Sequence, residues 1–163
     1  MKIGVISDTH IPVFAKKLPQ KVYDCFKDCD LIIHVGDAIE MSVIEELSRI
    51  AETKAVCGNM DDPEMKECLP EKMLFSVAGK KIGVMHGRGP GVKVVQIAEK
   101  MFGNKADIVI FGHSHLPYNE KRNGVLFFNP GSATDWTNAP YCSFGIIEID
   151  GDDIRAEIVK CGE

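Results

Sequence analysis

The chain has 163 residues, of which 45% are hydrophobic and 26% charged, and its formal net charge is −5. This length and balance predict one average globular domain over residues 1–163. The negative charge argues against a partner such as a nucleic-acid polymer, because few clustered cations are available to neutralise a phosphate backbone. No apolar run reaches membrane length and no signal-peptide pattern opens the sequence, so we expect a cytoplasmic protein that does not bind membranes.

Three short segments in the first half of the chain predict buried strands. The first begins at Lys2 and ends in Asp8-Thr9-His10, and the others cover Leu31–Val35 and Lys54–Cys57. β-Branched residues dominate the first segment, which is typical of a strand covered on both faces. Polar residues follow each strand directly.

Helices are predicted between and after these strands. An apolar stripe at helical spacing follows Pro19, which is expected in the first turn of a helix. Ser42 and Glu45 form a capping-box pattern that predicts the start of a second helix. Asp62 and Pro63 predict the N-cap and first residue of a short third helix.

The second half of the chain predicts hairpins around one further helix. Tight turns are expected at 78–80, at Asn123-Gly124 and at Asp150-Gly151. The predicted strands cover residues 73–77, 81–85, 108–111, 125–128, 143–149 and 154–159. The fourth helix is expected to close with Gly103 at its C′ position.

This βαβαβ order followed by hairpins predicts an α/β fold. So many strands are unusual for one open sheet in a domain of this size, so we expect two mixed β-sheets packed face to face with flanking helices. Ligands of open α/β sheets bind beyond the carboxyl ends of the strands.

Metal-binding residue types follow five of the predicted strands. They are Asp8, His10, Asp37, Asn59, His86, His113 and His115. Taken alone, Asp8 and His10 are either half a metal site or a turn aspartate beside a surface histidine. The fifth histidine, His34, lies inside a strand and is interpreted as structural.

The surroundings of these residues leave two readings open. Glycines flank most of them, and each glycine either ends a strand or makes room for an ion and a substrate. They are Gly36, Gly58, Gly87 and Gly112.

The number of candidate ligands indicates two ions. Seven ligands are more than one ion needs, and they suit two ions that share a carboxylate. Cys25 and Cys29 lie in a helical segment and are interpreted as packing residues rather than ligands.

In this order and on this scaffold, the motifs D-x-H, G-D, G-N, a lone His after a strand and G-H-x-H resemble those of the calcineurin-like metallophosphoesterases. The likeness is to their small single-domain microbial phosphodiesterases, and it runs from Lys2 through Ser132 to the last hairpin. The resemblance implies an αββα sandwich with metal ions between the loops, which agrees with the predicted fold.

The resemblance also implies a ligand set for two divalent ions. Asp8, His10, Asp37 and His115 would hold the first ion, and Asp37, Asn59, His86 and His113 the second, with Asp37 bridging. Nitrogen and oxygen ligands allow Mn²⁺, Ni²⁺, Fe²⁺ or Zn²⁺, and the resemblance favours Mn²⁺. Two such ions activate a bridging hydroxide for in-line attack on phosphorus.

Two positions depart from the family pattern. Met60 stands where relatives carry a His or Cys that protonates the leaving group, and a thioether has no proton to give. Arg88 stands where relatives often carry a further His, and it is either a clamp for a phosphate oxygen or a solvated loop residue. Asp61 either orients a ligand histidine or belongs to the turn before Asp62. Residues 129–132 resemble the family's N-P-G-S turn, which is expected to frame the site.

Together these features predict a dinuclear metal-dependent phosphodiesterase acting on small phosphoesters. The candidate catalytic residues are Asp37, Asn59 and Arg88. The alternative is a non-catalytic metal-binding scaffold for protein–protein assembly, like the retromer subunit that shares the family's fold. The resemblance favours a homo-oligomer, a dimer or larger, and nothing in the sequence identifies a base, sugar or lipid pocket.

Overall fold

The computed structural model describes residues 1–162, which form two five-stranded sheets and four helices. The strands are β1 (Lys2–Ile6), β2 (Leu31–His34), β3 (Glu52–Ala55), β4 (Lys72–Val77), β5 (Lys80–Met85), β6 (Ile108–Phe111), β7 (Tyr118–Arg122), β8 (Val125–Asn129), β9 (Ser143–Asp150) and β10 (Asp153–Lys160). The helices are α1 (Gln20–Phe26), α2 (Met41–Ser48), α3 (Pro63–Cys68) and α4 (Gly91–Phe102).

The two sheets are built on a similar plan. The first has the strand order β10-β9-β1-β2-β3, and the second has the order β4-β5-β6-β8-β7. Strands β1, β2 and β3 are parallel in the first sheet, as are β5, β6 and β8 in the second, and the other strands are antiparallel to their neighbours. The predicted fold of two mixed sheets is confirmed.

Apolar side chains fill three layers between these elements. Ile3 and Val5 of β1 point into the core between the two sheets, whereas Ile6 faces the helices, because successive residues of a strand point to opposite faces. Helices α1 and α2 pack on the outer face of the first sheet, and α4 packs on the outer face of the second. Cys25 and Cys29 belong to the layer beneath α1, in agreement with their interpretation as packing residues.

Of the turns and helix caps predicted from short sequence patterns, some are observed and one is not. Asn123 and Gly124 both adopt a positive φ between β7 and β8, as the predicted hairpin turn requires. Asp62 caps α3 by accepting a hydrogen bond from the Met65 amide at 2.8 Å, also as predicted. The capping box at Ser42 is wrong: α2 starts after Glu40, and no side chain caps it.

Three boundaries also differ from the predictions. The third strand covers 52–55 rather than 54–57, because its partner β2 ends at His34 opposite Ala55. Pro19 precedes the first turn of α1 instead of lying within it. Gly103 keeps a right-handed φ of −58° at the end of α4, so it does not act as a left-handed C′ residue.

Within residues 1–162, the longest helix has 12 residues, and none combines the length and apolarity that a membrane crossing requires.

Candidate metal centre

The candidate site lies where the carboxyl ends of both sets of parallel strands meet. The first sheet contributes residues that follow β1, β2 and β3, and the second contributes residues that follow β5 and β6. All seven predicted ligands lie in these loops, and contacts between them join the two sheets. The predicted convergence of strand ends is therefore observed.

One group of ligand atoms surrounds the end of β1. His115 Nε2 lies 3.3 Å from Asp8 Oδ1 and 3.3 Å from His10 Nε2. His10 Nε2 in turn lies 3.9 Å from Asp8 Oδ1 and 3.8 Å from Asp37 Oδ2. Ligand atoms about 2.0–2.2 Å from one ion are spaced close to these distances, so the group matches the predicted first site.

A second group lies on the side of β3 and β5. His86 Nε2 is 3.2 Å from Asp37 Oδ2 and 3.8 Å from Asp8 Oδ1, and His113 Nδ1 is 3.0 Å from Asn59 Oδ1. Asp37 Oδ2 therefore lies between both groups, as a bridging ligand must. Asp8 Oδ1 also lies within 4 Å of a histidine in each group. By distance alone, either Asp8 or Asp37 could bridge the two ions.

The outer nitrogens of three histidines are held by hydrogen bonds. His86 Nδ1 donates to the Val35 carbonyl at 2.8 Å, and His115 Nδ1 donates to Asp135 Oδ2 at 2.6 Å. His113 Nε2 donates to the Gly89 carbonyl at 2.9 Å. These contacts turn the opposite nitrogen of each ring toward the cluster, the arrangement by which proteins orient metal-binding histidines.

Two atoms at the centre of the cluster are buried and form no hydrogen bond of favourable geometry. Within the described part of the chain, Asp8 Oδ1 has only His115 Nε2 at 3.3 Å and His86 Nε2 only Asp37 Oδ2 at 3.2 Å, contacts between oppositely charged ligand atoms. Unpaired buried polar atoms are costly and rare. In addition, His113 Nδ1 faces the acceptor oxygen of Asn59 while its other nitrogen donates to Gly89. Electron-rich atoms that converge in this way fit divalent cations.

The charges of the cluster shift the pKa values of its members in opposite directions. Burial alone would lower the pKa of His86, but the charges of Asp8 and Asp37 raise it to about 9. Burial also opposes the shift of His115, whose contacts with Asp8 and Asp135 raise its pKa to about 9. Burial would raise the pKa of Asp8, yet the neighbouring His86 and His115 lower it to about 2. The metal-free cluster therefore holds protons where cations would bind.

The backbone of the cluster is strained at the ligand positions. Asp8, His10, Asp37, His113 and His115 all adopt φ values between 42° and 67°, in the left-handed region that side chains disfavour. Each such residue costs about 1–2 kcal/mol. Strain of this kind persists where the surrounding structure enforces it, and it is concentrated at functional sites.

Glycines allow the loops to approach each other closely. A Cβ atom at Gly58 would overlap Asp37 Oδ1, and a Cβ atom at Gly112 would overlap Ser7 Oγ and lie 3.0 Å from Asp8 Oδ2. Neither glycine has a positive φ, so space rather than backbone conformation requires them. Of the two readings of these glycines, close approach is the one that the contacts support.

Asp135 is a supporting residue that sequence reasoning missed. Its buried carboxylate accepts from His115 and also from the amides of Thr137 and Asn138 at 3.0 and 2.8 Å. Burial would raise the pKa of Asp135, but these hydrogen bonds lower it to about 2. Asp135 follows no strand, and its only sequence signal is its place just after the N-P-G-S turn.

Asp61 contacts no ligand histidine through a hydrogen bond and, as in the second of its two readings, lies in the bend just before the Asp62 cap. Its carboxylate accepts hydrogen bonds from the backbone amides of Asp37, Ile39 and Gly58 at 3.1, 2.8 and 2.7 Å. It thereby ties the loop after β2 to the loop after β3. The N-P-G-S turn frames the site as expected, since Ser132 Oγ donates to the Asp8 carbonyl at 2.7 Å.

Three other predicted residues lie as follows. Met60 has 56% of its surface exposed, and its amide donates to Asp37 Oδ1 at 2.7 Å. Arg88 is exposed and lines a cavity that also contacts Asn59 and His86. His34 is buried within β2, 3.1 Å from Thr9 Oγ1, which agrees with a structural role.

The sandwich of two mixed sheets and the Asp/His cluster at its strand ends are those expected of the metallophosphoesterase fold. The chain belongs to the calcineurin-like phosphoesterase superfamily, whose domain model matches residues 1–152. It is 40% identical to a probable metallophosphoesterase of Methanocaldococcus jannaschii over all of this chain and 83% of the relative.

Two further comparisons extend this result. A phosphodiesterase of Methanocaldococcus jannaschii is 29% identical over 98% of this chain and all of its own length. The structure of a single mutant of Vps29 from Entamoeba histolytica superposes with a TM-score of 0.77 at 26% identity, covering 98% of this chain and 99% of the other. The predicted family is therefore confirmed.

Proposed function

We propose that the chain is a phosphodiesterase that hydrolyses small phosphoesters with two divalent cations held by the Asp/His cluster. The observation that carries the proposal is the completeness of the ligand set, at whose centre Asp8 Oδ1 and His86 Nε2 are buried without a hydrogen bond. The family membership of the chain and the name of its phosphodiesterase relative support the same reaction.

The chain's own residues prepare the site for this chemistry. Asp8, His10 and His115 would hold one ion, Asn59, His86 and His113 the other, and Asp37 would lie between them. Two divalent cations, Mn²⁺ by preference, would lower the pKa of a water and neutralise phosphate oxygens. The Met60 amide fixes Asp37, and Asp135 fixes the ring of His115. Arg88, which lines the cavity beside His86, would bind a phosphate oxygen.

Met60 restricts the substrates that this site would cleave well. Its thioether cannot protonate a leaving group, and a positioned general acid commonly contributes about a hundredfold or more to the rate. We therefore expect faster hydrolysis of diesters with good leaving groups, such as aryl phosphodiesters, than of alkyl diesters.

The test is hydrolysis of bis(4-nitrophenyl) phosphate by the purified protein loaded with Mn²⁺. We expect turnover that EDTA abolishes and that returns when Mn²⁺ is added back. Asp37→Asn should lower kcat by at least about a hundredfold, because it removes the charge shared by both ions. A protein that holds both metals yet cleaves no phosphomonoester or phosphodiester would refute the proposal.

The second candidate is a metal-binding scaffold without turnover. The similarity to Vps29 and the absence of a proton donor at Met60 are the observations that favour it. A scaffold of this kind would bind metal stoichiometrically but hydrolyse no phosphoester. It would also form a stable complex with another protein.

A further inference from the structure

A cavity of about 420 Å³ opens beside the second group of ligands. Asn59 and His86 form one side of it, whereas the first group of ligands lies outside its lining. It is bounded by the segment after β3, by the end of β5 and by α4. Its volume is in the range of pockets that hold small organic ligands. A phosphoester bound at the metal centre would extend one of its arms into this space.

The lining of the cavity carries charge opposite to that of the whole chain. Lys66, Lys72 and Arg88 line it, and Glu71 is the one acidic side chain among its lining residues. The chain as a whole has a net charge of −5, so cations are concentrated here against the overall balance. Lys66 is held close to the ligands, because its Nζ donates to the Asn59 carbonyl at 2.8 Å.

Apolar residues form the rest of the wall. Met85, Ile97 and Met101 contribute one continuous side of the cavity, from the end of β5 and from α4. Lys72 stands at the rim of this wall, because it pairs in register with Met85 across the β4–β5 hairpin. The cavity therefore offers an apolar surface next to cations that lie beyond the metal ligands.

We propose that this cavity binds the non-reacting arm of a phosphodiester that carries a second phosphate, with a nucleoside-sized body against Met85, Ile97 and Met101. The inference rests on the proposed phosphodiesterase function and adds the substrate class. The charge of the reacting phosphodiester is met by the two cations and Arg88, so Lys72, with Lys66 beside it in the lining, complements a further anionic group. Charge-assisted hydrogen bonds of this kind are the strong ones.

A matched pair of substrates isolates this contact. Thymidine 5′-(4-nitrophenyl phosphate) and its 3′-phosphorylated counterpart release 4-nitrophenol from the same type of bond and differ only in the distal phosphate. For the Mn²⁺-loaded protein we expect kcat/KM to be about tenfold or more higher for the 3′-phosphorylated substrate, the gain of one charge-assisted contact. Lys72→Gln should reduce this preference to about threefold or less.

Lys121→Gln is the control, since Lys121 is an exposed lysine on β7 outside the lining of the cavity. It should keep the wild-type preference. A second readout needs no turnover: metal-free protein should bind thymidine 3′,5′-bisphosphate more tightly than thymidine 5′-phosphate in calorimetry, and Lys72→Gln should remove the difference.

The outcomes separate this inference from the function on which it rests. Equal kcat/KM for the two thymidine substrates, or a preference that Lys72→Gln leaves unchanged, overturns the inference while hydrolysis of bis(4-nitrophenyl) phosphate upholds the function. If no ester is hydrolysed, the function fails, and equal binding of the two nucleotides in calorimetry then overturns the inference as well.

Discussion

At the scale of single residues, Asp135 controls the orientation of His115. Its carboxylate is fixed by two backbone amides and accepts from His115 Nδ1 at 2.6 Å, which leaves Nε2 facing Asp8. Such carboxylate–histidine contacts select the ring tautomer and raise the basicity of the metal-binding nitrogen.

Asp135→Asn should weaken binding of the first ion by about 10–100-fold, the usual effect of losing such a partner. Competition with a chelator of known Mn²⁺ affinity measures this. Asp152→Asn, in the exposed turn before β10, is the control and should bind Mn²⁺ like the wild type. If Asp135→Asn bound Mn²⁺ as tightly as the wild type, metal binding by His115 would not depend on its contact with Asp135.

If the chain is a phosphodiesterase as proposed, Met60 should limit which leaving groups the site accepts. Met60→His should raise kcat for alkyl diesters by about tenfold or more, because an imidazole supplies the missing proton. Hydrolysis of aryl diesters should change little, since their leaving groups need no acid. Met60→Leu is the matched control and should behave like the wild type for both classes. The side chain is largely exposed, so neither change should impair folding.

The sequence predicted which polar residues would converge at the strand ends, but it did not predict the hydrogen bonds of the residues that support them. Asp8 and His113 follow strands, and the topology alone brings such residues together. Asp135 and Asp61 act through hydrogen bonds to segments distant in sequence, and only the folded loops reveal those partners. The role of Arg88 stays a prediction, because its position in the cavity fits a phosphate clamp without requiring one.

At the scale of elements, the loops after the strands are packed tightly enough that one added methyl group matters. Gly58→Ala would drive a Cβ atom into Asp37 Oδ1 and Asp37 N. We expect a loss of about 1–3 kcal/mol of unfolding free energy, the usual cost of overpacking, together with weaker binding of Mn²⁺. Chemical denaturation and metal titration measure the two effects.

Gly124→Ala is the control that separates the cost of backbone strain from damage to the metal centre. Gly124 has a φ of 84° in the β7–β8 turn, and a Cβ atom there would meet nothing within 4 Å. This variant should lose about 1 kcal/mol of stability through its backbone alone and bind Mn²⁺ normally. If both variants bound Mn²⁺ equally well, close approach of the loops would not shape the metal centre.

The turns and caps that the sequence predicted correctly are those that depend on contacts between neighbouring residues. The Asn123-Gly124 turn and the Asp62 cap of α3 depend on neighbouring residues only, and both are present. The Ser42 capping box failed because the chain enters α2 two residues earlier than the pattern requires, with Glu40 at the N-cap. The end of β3 was misplaced because it depends on the length of its partner strand.

At the scale of the whole molecule, the metal centre couples metal binding to protons. His86 and His115 have pKa values raised to about 9, above the ordinary value of 6.5. They are therefore protonated at pH 7 in the metal-free protein, and cations must displace those protons. Binding of Mn²⁺ at pH 7 should release protons, and its apparent affinity should rise between pH 7 and pH 9. Calorimetry in buffers of different ionisation enthalpy measures the released protons.

The same shifts predict the stability of the metal-free protein. A histidine whose pKa is raised on folding stabilises the fold fully below pH 6.5, and this contribution is lost as the pH rises through about 9. The Tm of EDTA-treated protein should thus fall between pH 7 and pH 10, and Mn²⁺ should reduce that fall. A flat Tm profile without metal would contradict the assigned proton positions.

The overall architecture could be predicted because it follows from the order of strands and helices. The alternation of strands and helices predicted parallel strands, the turns predicted hairpins, and the number of strands in so small a domain predicted two sheets, which are observed. The cavity beside β5 and α4 could not be predicted, because its lining comes from segments that meet only after the sheets have packed.

We propose that seven side chains from both sheets hold two divalent cations. Anomalous diffraction at the manganese edge, from crystals of Mn²⁺-loaded protein, tests it most directly. We expect two peaks about 3.5–4 Å apart with the Asp37 carboxylate between them. A single peak, or peaks away from Asp8 and His86, would contradict it.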